Sequence, residues 1–310
     1  MRLNDFTKQK VALGRFMLNC SIFGALIVMT LVVCEIAIRS LLPNPYKYKH
    51  ERLSAKSDDI ATLILGSSHG YYGIRPQVFG DSAFNLANVS QIFRYDNQLL
   101  RNYPFANLKT VILPLSYASF TDYDFAETDY WSFAANYKIY MDVNFHGDLS
   151  RYNFELSRPA LFSQKLRALM DGKQLSCDSL GFGKDFSKGK SWGWKESGLK
   201  AAQRHTGKDF SAVDDNVAYL SAIASYCRER DIQLVLVTMP ALESYRDNLN
   251  PGQYKMVTHL ADSLARRYDF TYLNMIDDPR FVESDFYDAD HFNLLGAEKF
   301  TKILRDTIAN

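Results

Sequence analysis

The sequence predicts an α/β protein: an open parallel sheet layered with helices, carrying a large insertion and preceded by one N-terminal transmembrane helix. Three observations predict it. An uncharged run of 19 residues, Phe16–Cys34, lies near the start of the chain. Five short runs of apolar or β-branched residues follow it, and helical patterns fall between and after them. Continuous apolarity is what a parallel strand covered on both faces requires, and alternation of such strands with helices builds one open sheet.

Composition narrows the class before any element is placed. A chain of 310 residues with 47% hydrophobic and 23% charged residues is neither disordered nor a bundle of membrane spans. Lys+Arg 36 against Asp+Glu 35 leaves a net charge of +1, without the basic excess that nucleic-acid binding calls for. Four cysteines are too few for a disulfide scaffold. Cys20 and Cys34 fall in the apolar run, and whether Cys177 pairs with Cys227 is left open.

Residues 1–15 read as a cytoplasmic terminus, because Arg2, Lys8, Lys10 and Arg15 outweigh Asp5. Residues 16–38 read as the span: its uncharged core alone covers about 28 Å at helical rise, close to the hydrocarbon thickness of a bilayer. The run is longer than a signal peptide's apolar region and has no small-x-small exit, so an uncleaved anchor is expected, with the rest of the chain periplasmic or extracellular. Pro43-Asn44-Pro45 ends the helix, and residues 39–58 read as a linker.

Residues 59–310 then form the α/β domain. Its strands are expected at Ala61–Leu65, Ala83–Leu86, Thr110–Leu113, Leu234–Thr238 and Phe270–Leu273, and its clearest helices at Val213–Arg230, Gln253–Tyr268 and Leu295–Ile308. Residues from about 117 to 210 fit this alternation poorly and read as an insertion over the sheet's functional edge. Its first part is crowded with aromatics from Tyr117 to Phe154, and its second is rich in Gly, Lys and Ser. Most of those aromatics are expected to build a satellite core.

Two short stretches carry the chemistry. The first strand runs straight into Gly66-Ser67-Ser68-His69-Gly70, a small-residue turn that exposes a hydroxyl at the sheet edge. Either serine can instead cap the following helix. Far away, Asp288-Ala289-Asp290-His291 follows the last strand. A serine nucleophile needs an imidazole to take its proton and a carboxylate to orient that imidazole. Asp288, three residues before His291, can turn back to its ring, whereas the adjacent Asp290 is expected to point away. The alternatives are an Asp-rich surface loop or metal ligation by Asp288, Asp290 and His291. His146, His205 and His259 show no metal-ligand spacing, and no cofactor is expected.

Gly66-Ser67-Ser68 near the start of the domain, with Asp288-x-x-His291 near its end, resembles the SGNH (GDSL-type) hydrolase superfamily. The resemblance covers Asp59 to Asn310. It implies a three-layer flavodoxin-like fold, with Ser68 as nucleophile and Asp288 and His291 completing the triad, and with Ser67 replacing the family's usual Asp. It also marks two departures. The family's second block supplies an oxyanion-hole Gly, but Asn85–Gln91 contains none; its third block supplies an Asn, where this chain has Pro114-Leu115-Ser116-Tyr117. A backbone N–H near Asn88–Ser90 can substitute, as can Ser116, so the oxyanion hole implied is Ser68, Ser90 and Ser116.

With the anchor, the chain also resembles membrane-anchored SGNH-like proteins of cell-envelope polysaccharide acylation, which work beside a membrane-bound O-acyltransferase. The expected function is therefore a serine esterase or O-acyltransferase acting on acyl, chiefly acetyl, esters of an envelope polysaccharide. The alternative is a weakly active or inactive carbohydrate-binding or assembly protein of the same fold. Trp131, Trp192 and Trp194, in Ser- or Gly-flanked segments, and Arg94, after the second block, are the candidate substrate contacts.

Overall fold

Five parallel strands, in the order β2-β1-β3-β4-β5, carry the molecule's second unit, Asn44–Gly147 with Leu175–Asn310. They are β1 (Thr62–Ile64), β2 (Ala83–Asn85), β3 (Thr110–Leu115), β4 (Gln233–Thr238) and β5 (Thr271–Asn274). All five expected strands form, with bounds moved by one or two residues. The structure, a computed structural model, describes residues 3–122, 132–145, 153–157, 159–186 and 194–309.

The register pairs Leu63 with Phe84 on one side and Val111 on the other, and Val111 in turn with Leu234. All four are buried, so the continuous apolar runs are central strands covered on both faces. Strand order reverses direction between β1 and β3. In an open α/β sheet this switch point leaves a crevice beyond the strands' carboxyl ends.

The first unit is Met1–Pro43 with Asp148–Gln174. Its long helix α1 (Leu3–Leu41) contains Lys8–Leu41, apolar and long enough to cross a membrane by length and composition. The run Lys8–Val33 is exposed along its length, unlike a helix buried in a protein core. At its end Glu35 is nearly buried, pairs with Arg39, and accepts hydrogen bonds from the N–H groups of Glu155 and Leu156 at 2.9 and 3.0 Å.

The expected linker contains a helix, α2 (Pro45–Lys56). Asn44 caps it by accepting from the N–H groups of Tyr46 and Lys47, and Pro45 takes the first helical position, where no N–H is needed. The Pro-Asn-Pro run that ends one helix therefore starts the next. After β1 come α3 (Ser68–Gly73) and, after β2, α4 (Phe93–Asn102). The described part of the insertion holds α5 (Ser132–Tyr140), α6 (Pro159–Met170), α7 (Trp194–His205) and an isolated antiparallel bridge between Cys177 and Gly183. Tyr117, Phe120, Tyr137 and Tyr140 are buried, Phe120 against Phe93 of α4 and Tyr137 against Tyr46 and Tyr95.

The chain closes with α8 (Val213–Arg228), α9 (Glu243–Arg246), α10 (Pro251–Tyr268) and α11 (Leu294–Ile308). Helices α4, α8 and α10 pack together in one layer, and α3 packs with α11 in another. Ile64, Ile112, Val235 and Val237 of the sheet share a core with Phe286, Phe292, Phe300 and Leu304. Cys177 and Cys227 are both buried and unpaired, so no disulfide joins them.

Candidate active site

Gly66 leaves β1 with φ 96, a left-handed conformation that side chains disfavour, and turns the chain sharply into α3. Ser67 is the residue before the helix, but its side chain makes no capping bond; Ser68 is the first helical residue. Gly70 lets α3 sit against the sheet edge. A Cβ there would lie 2.6 Å from the Leu65 carbonyl oxygen and 2.9 Å from the Ala87 Cβ. The turn is held from below by Asp96, fully buried in α4, whose carboxylate accepts from the Gly66 N–H at 2.8 Å and from the Gln91 amide at 2.6 Å. Burial pushes Asp96 up to about 7, against the pull of those two donors.

The second stretch is a loop clamped at both ends. Phe286 and Phe292 form an antiparallel bridge and are buried in the core. Asn293 caps α11 by accepting from Leu295 and Gly296 N–H, while its amide donates to the Ser284 and Phe286 carbonyls. Within the loop, Asp288 Oδ1 accepts from the N–H groups of Asp290 and His291 at 3.2 and 2.9 Å. That local turn folds the Asp288 carboxylate back onto the His291 ring.

The two stretches meet at the crevice. Ser68 Oγ lies 2.8 Å from His291 Nε2, and His291 Nδ1 lies 3.0 Å from Asp288 Oδ1. These separations suit an Nδ1–H donating to the carboxylate with Nε2 facing the hydroxyl. Ser67, Ser68, His69, Ser90 and Ser116 line one cavity of about 480 Å³, with Arg204, His205 and Lys208 on its far wall. A larger cavity of about 700 Å³, around residues 241–248 and 277–283, holds none of the three triad residues.

Ser90 has φ 59, the left-handed region where a glycine is expected. Ser116 follows β3 directly, and its hydroxyl lies 3.0 Å from that of Ser119.

Asp290 corrects the sequence reading. It is 3% exposed and turned inward, with Oδ1 3.6 Å from His291 Nδ1 and Oδ2 3.7 Å from both His69 Nε2 and His205 Nδ1. The loop turn that delivers Asp288 also carries Asp290 under the ring. His69 stacks on His291, ring centroids 4.8 Å apart and 11° from parallel. His205, which no spacing in the sequence marked, joins from α7 and pairs with the Tyr245 hydroxyl at 2.9 Å. His69, Asp290 and His291 are close enough together to hold a metal ion.

The charges follow from this crowding. Burial alone would lower the His291 pKa, but the Asp290 charge and the Asp288 hydrogen bond outweigh it and raise it to about 10. Burial opposes the Asp290 charge too, yet His291, with His205 and His69, holds it well below the usual carboxylate range. His69 is pushed down to about 4, by burial first and by the neighbouring His291 second.

The other candidate contacts fare differently. Arg94 stacks its guanidinium over Phe145, 4.3 Å from the ring centroid, and is not among the described residues that line the cavity. On α4 it meets the ring of Phe145. Trp131 and Trp192 lie outside the described residues, and of Trp194 only the backbone position, opening α7, is described.

No protein-family model matches the chain, and no curated protein does. Solved structures that match the chain include the following three. One, described as a candidate platelet activating factor from Streptococcus pneumonia, is 12% identical with a TM-score of 0.43, covering 93% of this chain and 99% of that one. A GDSL-like lipase from Bacteroides thetaiotaomicron is 9% identical with a TM-score of 0.43, covering 86% and 98%. A candidate acylhydrolase from Bacteroides fragilis is 9% identical with a TM-score of 0.39, covering 89% and 93%. Scores this low carry no weight about chemistry, which the geometry of the site must supply.

Proposed function

We propose that the chain is a membrane-anchored serine esterase or O-acyltransferase that acts outside the membrane on acyl, chiefly acetyl, esters of an envelope polysaccharide. The observation that carries this reading is the unbroken hydrogen-bonded line Ser68 Oγ–His291 Nε2, His291 Nδ1–Asp288 at the switch point of a parallel sheet.

In this reading the neutral form of His291 is the working base: Ser68 Oγ attacks the ester carbonyl carbon and its proton passes to His291 Nε2. The Ser68 N–H, the first of the amides that α3 leaves without a helical partner, meets the oxyanion with Ser90 and Ser116. The proton then goes from His291 to the leaving alkoxide, and an acyl-serine remains. Water attacking that ester completes hydrolysis; a sugar hydroxyl attacking it completes transfer. In both cases His291 takes the incoming proton and returns it to Ser68. A membrane-bound O-acyltransferase is the partner proposed to supply the acyl group.

A fluorophosphonate probe on the full chain in detergent tests the reading. Labelling at Ser68 that disappears in Ser68→Ala and His291→Ala, with an acyl adduct on Ser68 after incubation with an acetyl ester, is the expected result. Wild-type protein that takes no label at pH 9 refutes the enzyme and leaves the carbohydrate-binding alternative.

A further inference from the structure

Lys49 stands in α2, in the charged stretch Lys47-Tyr48-Lys49-His50-Glu51-Arg52, yet it is completely buried. A lysine in that position is costly unless something inside needs it. Among the described residues it makes no ion pair. Its ammonium donates to the Ala87 carbonyl, lies 3.4 Å from Asn88 Oδ1, and sits 4.4 Å from the centroid of the Tyr71 ring. Burial lowers its pKa to about 7, against the pull of Cys177 and Asp178.

Those contacts join the two backbone segments that face each other across the site. Tyr71 belongs to α3, the helix that Ser68 begins; Ala87 and Asn88 begin the loop that carries Ser90 to the cavity wall. The two segments already touch where Gly70 meets Ala87. A buried polar chain continues from the lysine. Asn88 donates to Gln91 at 3.3 Å, Gln91 donates to Asp96 at 2.6 Å, and Asp96 accepts from Gly66 N–H at 2.8 Å. Tyr137 of the insertion also donates to Gln91, at 2.8 Å. Lys49 is the cationic end of this chain and Asp96 its carboxyl end.

We propose that Lys49 is a positioning residue that fixes the Ala87–Ser90 loop against the Ser68 turn, so that the loop's backbone meets the oxyanion formed at the ester carbonyl. The proposal rests on the serine-hydrolase reading and adds that the juxtamembrane helix shapes the active site. Ser90 takes the loop's left-handed turn without a glycine. The loop is held by Gln91 N–H donating to the Asn88 carbonyl, by Asn88 N–H donating to the Gly66 carbonyl, and by Lys49, which donates to the Ala87 carbonyl and faces the Asn88 side-chain oxygen.

The test uses the full chain in detergent and p-nitrophenyl acetate as substrate. Lys49→Met keeps the apolar stem and removes the donor. The expected result is a fall in kcat of about 10- to 100-fold with KM changed less than about twofold, since misplacing a transition-state contact by an ångström costs that much. In Lys49→Ala, added propylamine restores part of the lost kcat, whereas n-butane, which fills the same space without a donor, does not. Hydrogen–deuterium exchange reads the loop without turnover. The peptide spanning Ala87–Gln91 is expected to exchange about tenfold faster in Lys49→Met, while β3 and β4 keep wild-type protection.

A folded Lys49→Met whose kcat, or whose loop exchange, stays within about twofold of wild type overturns the proposal. If that variant does not fold, Asn88→Leu removes the lysine's side-chain acceptor, and the same two measurements decide. Wild-type protein that takes no fluorophosphonate at Ser68 ends the hydrolase reading alone; loop exchange then still decides whether the lysine orders the loop.

Discussion

If the chain is the serine hydrolase proposed above, replacing Asp290 by Asn should bring its activity to lower pH, although Asp290 is not the carboxylate that hydrogen-bonds His291. At 3.6 Å, and with an effective dielectric of about 20, the Asp290 charge favours the His291 imidazolium by about 4–5 kcal/mol, or about three on the pH scale. Burial of both side chains argues against discounting this for solvent, but His69 and His205 draw on the same carboxylate. A fall of about one to three in the pKa of His291, from about 10, is therefore expected. A protonated imidazole cannot accept the Ser68 proton, so wild-type kcat/KM should climb toward alkaline pH. In Asp290→Asn the acid limb should shift down by that amount, with the plateau nearly kept. The assay is kcat/KM for p-nitrophenyl acetate from pH 5 to 10. Asp288→Asn is the contrast: losing the partner that holds the ring's tautomer should depress the rate at every pH, by about 10⁴ in the best-studied triad. An acid limb in Asp290→Asn that stays put or moves up refutes the reasoning.

The same ion pair makes stability depend on pH. His291, raised on folding, contributes stability that is complete below about 6.5 and is lost as pH rises through about 10, whereas Asp290, depressed on folding, contributes above about 4 and loses it on acidification. Thermal midpoints should therefore decline between pH 6.5 and 10, and Asp290→Asn should flatten that decline; an equal slope in both proteins counts against the pair. Gly70→Ala puts a methyl 2.6 Å from the Leu65 carbonyl oxygen and should cost about 1–3 kcal/mol in a thermal or denaturant melt, with slower fluorophosphonate labelling. A neutral effect on both would mean that α3 is free to move at this edge.

Much of the site was legible because its determinants are local. Gly66-Ser67-Ser68 announces a turn after a strand, and Asp288-x-x-His291 announces a carboxylate that can fold back on an imidazole. The strands were legible because burial on both faces forces continuous apolar runs, as at Val111–Leu113 and Leu234–Val237. The helix at Pro45–Lys56 was not, because its amphipathic signal is weak and its buried side chains, Tyr46, Lys49 and Leu53, include a lysine. The inward turn of Asp290 onto His69 and His205 was not legible either, for a related reason. Nothing in their spacing says that one carboxylate will sit 3.7 Å from two imidazoles brought from different elements.

By itself, then, the amino-acid order determined which segments are strands, which stretch is apolar and long enough to cross a bilayer, and which hydroxyl, imidazole and carboxylate are candidates for one reaction. Those are properties of neighbours along the chain: turn chemistry, burial period and run length. Only the tertiary structure decided that residues 223 positions apart lie within a hydrogen bond, that a second carboxylate lies 3.6 Å from the His291 ring, and that a lysine is buried against the backbone of the loop beside Ser68. Those depend on where the sheet's crossovers and packed faces bring distant segments, which no local pattern specifies.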